Sequence, residues 1–290
     1  CNLSNMLLLQ GKIEQSAQCS HRLVQMTRDL NDASGTIKGY YLLGQAMAAG
    51  GRYDSAVSYE KYALRYAGAS KDNWLLPYVY TSLGAYYHLL GHKDSALVYY
   101  QRGIPIARKH GDKNNTLRLC NNTGRLHFER GNLDEAMENF MEALVLAEET
   151  GDKYLVAAVQ SNIGMIFFRQ GYFEKALDYL YRSRHLGSKA HRMNVLTNIG
   201  AIHRAQGQND SAFVYYNDAL TLSERIRDRA TQAKILTNLG DLHLMGHRLD
   251  SAEHCFNRAL EMATAVKDEG TRAALYQHMS RIQRERGQYD

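Results

Sequence analysis

Five segments of this chain share one arrangement of apolar, small and polar positions. In each, a glycine that we call the anchor is followed twelve positions later by an alanine. Anchors are 40 residues apart except for one interval of 36, between Gly164 and Gly200. Such repetition indicates an architecture of stacked, similar units. The segments are TSLGAYYHLLGHKDSA from residue 81, NNTGRLHFERGNLDEA from 121, SNIGMIFFRQGYFEKA from 161, TNIGAIHRAQGQNDSA from 197 and TNLGDLHLMGHRLDSA from 237, and Ser4, Gly44 and Ser280 extend the register to both ends.

Each unit predicts two antiparallel helices. The first carries the anchor and ends at a glycine seven positions later, a residue that accepts the left-handed conformation common at helix C-termini. His247 is the one departure from this rule. An acidic residue at position +10 favours the positive end of the second helix dipole and can accept hydrogen bonds from its free amides. These residues are Asp54, Asp94, Asp134, Glu174, Asp210 and Asp250.

A second acidic mark lies 28 residues after the anchor and predicts the N-cap of the next first helix. The 36-residue unit lacks it, so we expect a shortened second helix or a tighter joint near Leu186, Gly187 and Ser188. Pro105 lies inside a predicted second helix, where we expect a kink or an early break. The acidic residues at +28 are Asp32, Asp72, Asp112, Asp152, Asp228 and Asp268.

Helical geometry separates two faces of each first helix. At about 100° per residue, offsets −1, +2 and +3 from the anchor share one arc, which holds residues such as Ile163, Ile166 and Phe167 and predicts the core. Offsets −6, −2, +1 and +5 share another arc, which we call the open face. It holds Asn122, Asn162, Asn198, Asn238, Arg125, Asp241, Glu129 and Arg169.

At these positions the sequence resembles the tetratricopeptide repeat family over nearly its full length. The match consists of the anchor, the glycine at +7, the alanine at +12, the aromatic residue at +16 and the small residue at +19. The 40-residue period and the missing terminal proline are departures that predict longer second helices. This long-period form is similar to the repeats of kinesin light chains and of bacterial sensors and regulators. The +16 aromatics are Tyr100, Phe140, Tyr216 and Phe256, and the +19 residues are Ala63, Ala143, Ala219 and Ala259.

The resemblance implies an all-α fold, a right-handed superhelix or solenoid of antiparallel helix pairs whose first helices line a concave groove. We expect one solenoid over residues 1–290, and no cofactor. Its approximate units are 1–36, 37–76, 77–116, 117–156, 157–192, 193–232, 233–272 and 273–290, the first and last being partial.

In this family an asparagine two positions before the anchor often binds the backbone of a peptide. Here that position is held by Asn122, Asn162, Asn198 and Asn238, whereas Leu42, Ser82 and His278 interrupt the series. An amide can donate to and accept from an extended backbone. The alternative is that these asparagines are tolerated on a solvated face or brace adjacent repeats.

Charged neighbours of the asparagines mildly favour a partner with some acidic character. Arg125, Arg169, Arg204 and Lys234 outweigh Asp241 among the groove candidates. The net charge of +5 is too weak and too evenly spread to predict nucleic-acid binding. No apolar run approaches the roughly 18 to 20 residues of a transmembrane helix.

Catalysis and metal binding lack sequence support. The chain has no G-x-S-x-G, phosphate-binding loop, dinucleotide fingerprint or H-E-x-x-H motif, so we expect no enzyme in this segment. His127, His203 and His243 share offset +3, but equivalent positions of stacked helices lie about 10 Å apart and do not converge on one ion. We therefore expect packed histidine rings and no metal site.

Two functions remain in view. The first is a non-catalytic scaffold that binds a protein or peptide in the groove. The second is the sensory segment of a membrane-associated bacterial regulator with a kinase or helix-turn-helix output elsewhere, because Gly287 and Asp290 open a second helix that the segment does not contain. Cys1 stands where a bacterial lipoprotein signal is cleaved, so periplasmic or lipid-anchored and cytoplasmic locations both stay open.

Overall fold

The computed structural model describes residues 2–69 and 74–287. In these ranges the chain forms fifteen α-helices, one short 3₁₀ helix at Ala67–Ala69 and no strand. No helix within the described ranges is long and apolar enough to span a membrane. The helices are α1 Asn2–Leu9, α2 Ile13–Asp29, α3 Ala33–Ala49, α4 Tyr53–Arg65, α5 Leu76–Leu89, α6 Lys93–Lys109, α7 Lys113–Arg130, α8 Leu133–Thr150, α9 Lys153–Arg169, α10 Phe173–Ser183, α11 Lys189–Ala205, α12 Asn209–Ile226, α13 Arg229–Met245, α14 Leu249–Ala265 and α15 Glu269–Glu285.

The chain divides into two compact units, Cys1–Gly151 and Asp152–Asp290. In the first unit α1, α3, α5 and α7 each pack on the following helix, and each second helix packs on the next first helix. The same order holds in the second unit from α9 to α15. Within each unit this confirms the predicted all-α solenoid of antiparallel helix pairs.

The turn between paired helices uses the predicted glycine. Gly91, for example, has a φ of 82°, and Gly207 has a φ of 75°. His247 adopts the same left-handed conformation with a φ of 53°, so the turn survives the one departure from glycine. The short connection reverses the chain and lays the two helices side by side.

The acidic residues at +28 and those at +10 from the anchor have different roles. Asp228 caps α13 by accepting a hydrogen bond from the Thr231 amide at 3.0 Å, and Asp32, Asp112, Asp152 and Asp268 cap their helices in the same way. Asp72 lies outside the described residues. The acids at +10 instead lie inside the first turn of the second helices, with no side-chain cap bond. They therefore lie near the positive end of the helix dipole but do not cap the helix.

The 36-residue unit shortens its second helix, as predicted. α10 has 11 residues, whereas α8 and α12 have 18 each. Ser188 replaces the missing aspartate as the N-cap and accepts from the His191 amide at 3.2 Å. The His191 ring then reaches the buried Ser183 hydroxyl at 2.6 Å, which ties the two ends of the joint together.

The anchor glycine makes room for the side chain at +16. A Cβ on Gly84 would lie 2.2 Å from Cε1 of Tyr100, and one on Gly240 would lie 2.4 Å from Cε1 of Phe256. Both rings and the alanines at +12 are completely buried. In four repeats the paired helices therefore interlock through an aromatic ring, whereas Glu60 and Leu180 occupy the same place in the repeats of Gly44 and Gly164.

Two local features differ from the sequence expectations. The helix α6 continues through Pro105 to Lys109, so the early break does not occur. Two residues earlier in the same helix, Gly103 packs closely against Tyr80 and Leu119. With the exception of α5, the first helices from α3 onward begin four residues before the approximate unit boundaries, directly after an aspartate N-cap or, for α11, after Ser188. Cys1 and Asp290 lie outside the described residues.

Candidate ligand-binding face

Helices α9, α11 and α13 carry the asparagines of the second unit at one helical register. Asn162, Asn198 and Asn238 are each half-buried, and each precedes a buried apolar residue that anchors the helix in the core. Asn198 and Asn238 make no side-chain hydrogen bond within residues 2–69 and 74–287, which leaves their amide groups available to a ligand.

The first unit has a single asparagine at this register, Asn122 on α7. It is half-buried and has no side-chain hydrogen bond in the described part of the chain. The equivalent positions on α3 and α5 hold Leu42, which is buried, and Ser82, which is half-buried. The asparagine series therefore does not extend to α3 and α5 in this unit.

Charge on the open face is partly neutralised. In the second unit Asp241 lies 3.3 Å from the Arg204 guanidinium and 3.3 Å from Nδ1 of His278. Lys234 is exposed and forms no salt bridge in the described ranges. Arg169 ends α9 and is exposed. Asp241 thus lowers the positive charge that the arginine count alone would predict.

In the first unit Glu129 plays the corresponding role. Its carboxylate lies 2.7 Å from Nζ of Lys93 and 3.6 Å from Nε2 of His88. Burial and the nearby Arg125 guanidinium lower the pKa of His88 against the opposing effect of Glu129. Arg125 is exposed and forms no salt bridge among the described residues, so it remains the principal cation at this part of the face.

Two of the histidines at +3 pack against aromatic rings, His203 within its own repeat and His243 against Phe213 of the preceding repeat. His203 stacks on Tyr215 with ring centroids 5.2 Å apart and planes 4° from parallel. Tyr87 and Phe167 stack on Tyr99 and Tyr179 at the same two positions of other repeats. Within the described residues no group of three or more His, Cys, Asp or Glu side chains is placed to hold a metal ion.

Sequence reasoning missed a pocket of about 520 Å³ at the start of the first unit, which we call the N-terminal pocket. Offsets −6, −2 and +1 of α3 contribute to it, so it is part of the open face. Two features of the sequence could have indicated it. Leu42 replaces asparagine at its register, and Trp74 is the sole tryptophan. The pocket is lined by Asn5, Leu8, Leu9, Lys38, Tyr41, Leu42, Gln45, Trp74, Leu75 and Tyr78.

Sequence comparison identifies the repeat. The profile described as tetratricopeptide repeat matches residues 114–185 and 191–265, which together make up half of the chain. Among curated proteins, none matches this sequence.

Solved structures share the fold at low identity. BtubC from P. vanneervenii is 20% identical, with a TM-score of 0.63 over 74% of this chain and 92% of its own. A signal-transduction ATPase with a tetratricopeptide repeat sensor, from Pyrococcus horikoshii, is 17% identical, with a TM-score of 0.68 over 97% of this chain and 44% of its own. The Rap conjugation gene regulator of plasmid pLS20, solved with the Phr* peptide, is 15% identical, with a TM-score of 0.62 over 89% of this chain and 77% of its own.

Proposed function

Because this chain belongs to the tetratricopeptide repeat family, we propose that it is a non-catalytic scaffold whose open face binds a protein or peptide segment. The observation that carries the proposal is the register of Asn162, Asn198 and Asn238 on successive first helices. An amide at a regular interval suits the regular donors and acceptors of an extended backbone. The Rap regulator of plasmid pLS20, which has this fold, was solved with a peptide.

The unpaired state of two asparagines favours binding over bracing. A bracing asparagine would bond to the neighbouring repeat, whereas Asn198 and Asn238 form no side-chain hydrogen bond in the described chain. Both side chains are half-buried, so a ligand that contacts them would bury their amide groups further. Burying such a group without a partner costs free energy, which makes hydrogen-bond pairing with the ligand the favourable outcome.

The charge of the face favours a partner with a modest number of acidic residues. Arg125 and Lys234 are exposed and form no salt bridge within the described ranges, whereas Arg204 shares Asp241 with His278. Acidic groups of a partner would accordingly be attracted most strongly to Arg125 and Lys234.

The test replaces Asn162, Asn198 and Asn238 together by alanine. Peptides are first selected on the wild-type chain by phage display and then titrated calorimetrically against both proteins. We expect affinity to fall at least about tenfold, since a neutral hydrogen bond contributes about 1 kcal/mol. Circular dichroism must show an unchanged helix content.

A matched control replaces Asn217 and Asn257, which lie on the second helices α12 and α14. We expect these substitutions to leave peptide affinity unchanged. If the triple variant keeps its fold and its affinity, the asparagines are not ligand contacts and the proposal is wrong.

A second candidate is the sensory segment of a larger regulator. The specific observation is that the repeat sensor of the Pyrococcus horikoshii ATPase belongs to a chain of which this one matches 44%. Reading the gene on both sides of the segment separates the candidates. A membrane helix followed by a kinase or DNA-binding domain supports the sensor, and a capping helix followed by a stop codon supports a free-standing scaffold.

A further inference from the structure

The N-terminal pocket has the shape and surface of a receptor for one bulky apolar group. Leu8, Leu42 and Leu75 contribute aliphatic surface from α1, α3 and the residue before α5. Tyr78 contributes an aromatic wall, since its ring lies edge-on to Tyr41 at 6.4 Å and to Trp74 at 6.3 Å. Aromatic edges and aliphatic groups of this kind suit a large side chain of the ligand.

Apolar surface at the mouth of the pocket is exposed to solvent. Leu9 is 89% exposed and Trp74 is 42% exposed. An aliphatic and an aromatic side chain left open beside a concave surface mark a contact that a ligand can bury. A ligand group that covers these two side chains removes their apolar surface from water. We therefore expect an apolar ligand group to bind more tightly here than a polar one.

Among the described residues, a cation is the one charged side chain that lines the pocket. Lys38 lines it and forms no salt bridge in the described part of the chain, and none of the ten lining residues is acidic. Burial and the Glu60 carboxyl group raise the pKa of the lining Tyr41, and the Arg118 guanidinium acts in the opposite direction. Glu60 itself is completely buried, which raises its pKa well above the usual range and favours its neutral form.

We propose that the N-terminal pocket binds a bulky apolar side chain of a peptide on the first unit, and that a carboxylate beside that side chain pairs with Lys38. The proposal rests on the proposed function, since it assigns a side-chain preference to a peptide bound on the open face.

The sole tryptophan provides the test. Because Trp74 lines the pocket, its fluorescence reports occupancy there and not elsewhere on the chain. The probe is the terminally blocked peptide Gly-Ser-Phe-Asp-Ser-Gly, with Phe replaced by Ser and Asp replaced by Lys as two comparison peptides. We expect the parent peptide to change Trp74 emission saturably, and the Ser peptide to bind about tenfold more weakly or worse.

Charge reversal checks the role of Lys38. Lys38→Glu should weaken binding of the Asp peptide about fivefold and should restore binding of the Lys peptide, which the wild-type protein binds poorly. Leu9→Ser, at a side chain that is already exposed, should weaken both peptides without unfolding the chain. Lys109→Glu on α6 makes the same charge change away from the pocket and should alter neither affinity.

Two results would overturn the inference. One is equal binding of the Phe and Ser peptides by the wild-type protein, and the other is a Lys38→Glu variant that folds normally and keeps its preference for the Asp peptide. Either outcome leaves the proposed function standing if alanine at Asn162, Asn198 and Asn238 still lowers the affinity for selected peptides at least about tenfold. If the triple variant instead folds normally and its peptide affinity is unchanged, the proposed function itself is contradicted.

Discussion

The carboxyl group of Glu60 packs against Gly44, in the place where four other repeats put an aromatic ring. A Cβ on Gly44 would lie 2.8 Å from Oε1 of Glu60. Glu60 is completely buried, and neither of its oxygens has a hydrogen-bond partner within the described residues. Burial raises its pKa well above the usual range, and its charge in turn acts to raise the pKa values of Tyr41 and Tyr86.

Glu60 makes the stability of the first unit depend on pH. The unfolded carboxyl titrates near about 4.3, whereas the folded one holds its proton to higher pH. As pH rises between these two values, the folded state retains more protons and the free energy of unfolding falls. Urea unfolding followed by Trp74 fluorescence, at a series of pH values, measures this slope.

Substitution of Glu60 should remove that slope. Glu60→Leu, which introduces the residue that another repeat has at the same position, Leu180, should raise the free energy of unfolding at pH 8 by about 1 to 3 kcal/mol. The exposed Glu138 provides the control, since Glu138→Gln should leave the pH profile unchanged. A Leu variant with the wild-type slope would show that another group causes it.

Alanine at the anchor should destabilise one repeat much more than another. In Gly84→Ala the new Cβ would lie 2.2 Å from the Tyr100 ring, so we expect a loss of about 1 to 3 kcal/mol from overpacking. In Gly164→Ala the nearest atoms are 3.1 Å away, and the gain in helix propensity of about 1 kcal/mol offsets the crowding. Thermal unfolding of both variants checks the contrast, which equal losses would contradict.

The acidic residues at +28 should contribute more to stability than those at +10. Asp228→Ala removes hydrogen bonds from the amide and hydroxyl of Thr231 and should cost about 1 to 2 kcal/mol. Asp210→Ala removes only a favourable position near the helix dipole, worth about 0.3 to 1 kcal/mol. Chemical denaturation in low salt measures both. A larger loss for Asp210 would reverse the assigned roles.

His203 should be replaceable by an aromatic residue. His203→Phe keeps a ring against Tyr215 and should change the free energy of unfolding by less than about 1 kcal/mol. His203→Ala loses the stack and should be less stable than the Phe variant. A zinc-dependent rise in Tm that is present in the wild-type protein and absent from His203→Phe would instead indicate a metal ligand.

Asp241 should limit the affinity for acidic peptides. Asp241→Asn removes the carboxylate that lies 3.3 Å from Arg204 and leaves that cation free for a ligand. We expect a peptide with an acidic residue at this register to bind about two- to fivefold more tightly. Calorimetry at low and high salt measures the gain, which should shrink as salt screens the charge. An unchanged affinity at low salt would mean that Arg204 does not face the ligand.

The repeat register made most of the fold predictable. Small residues at the anchor and at +12, glycine at +7 and aspartate at +28 each act within one helix pair or one turn. Their effects are local, so the joint at Ser188 and the short α10 follow from counting residues. The candidate binding face could be predicted in part, because helical periodicity alone places Asn198 on a different arc from the buried Ile199.

The amino-acid sequence alone thus determined the helix pairs, the turns and the position of the open face. Only the tertiary structure decided that Asp241 neutralises Arg204, that Glu60 has no partner among the described residues, and that α1, α3 and the start of α5 enclose a pocket. The physical reason is distance along the chain. Periodicity specifies which way a residue points on its own helix, whereas pairing and enclosure depend on side chains from helices that only packing brings together.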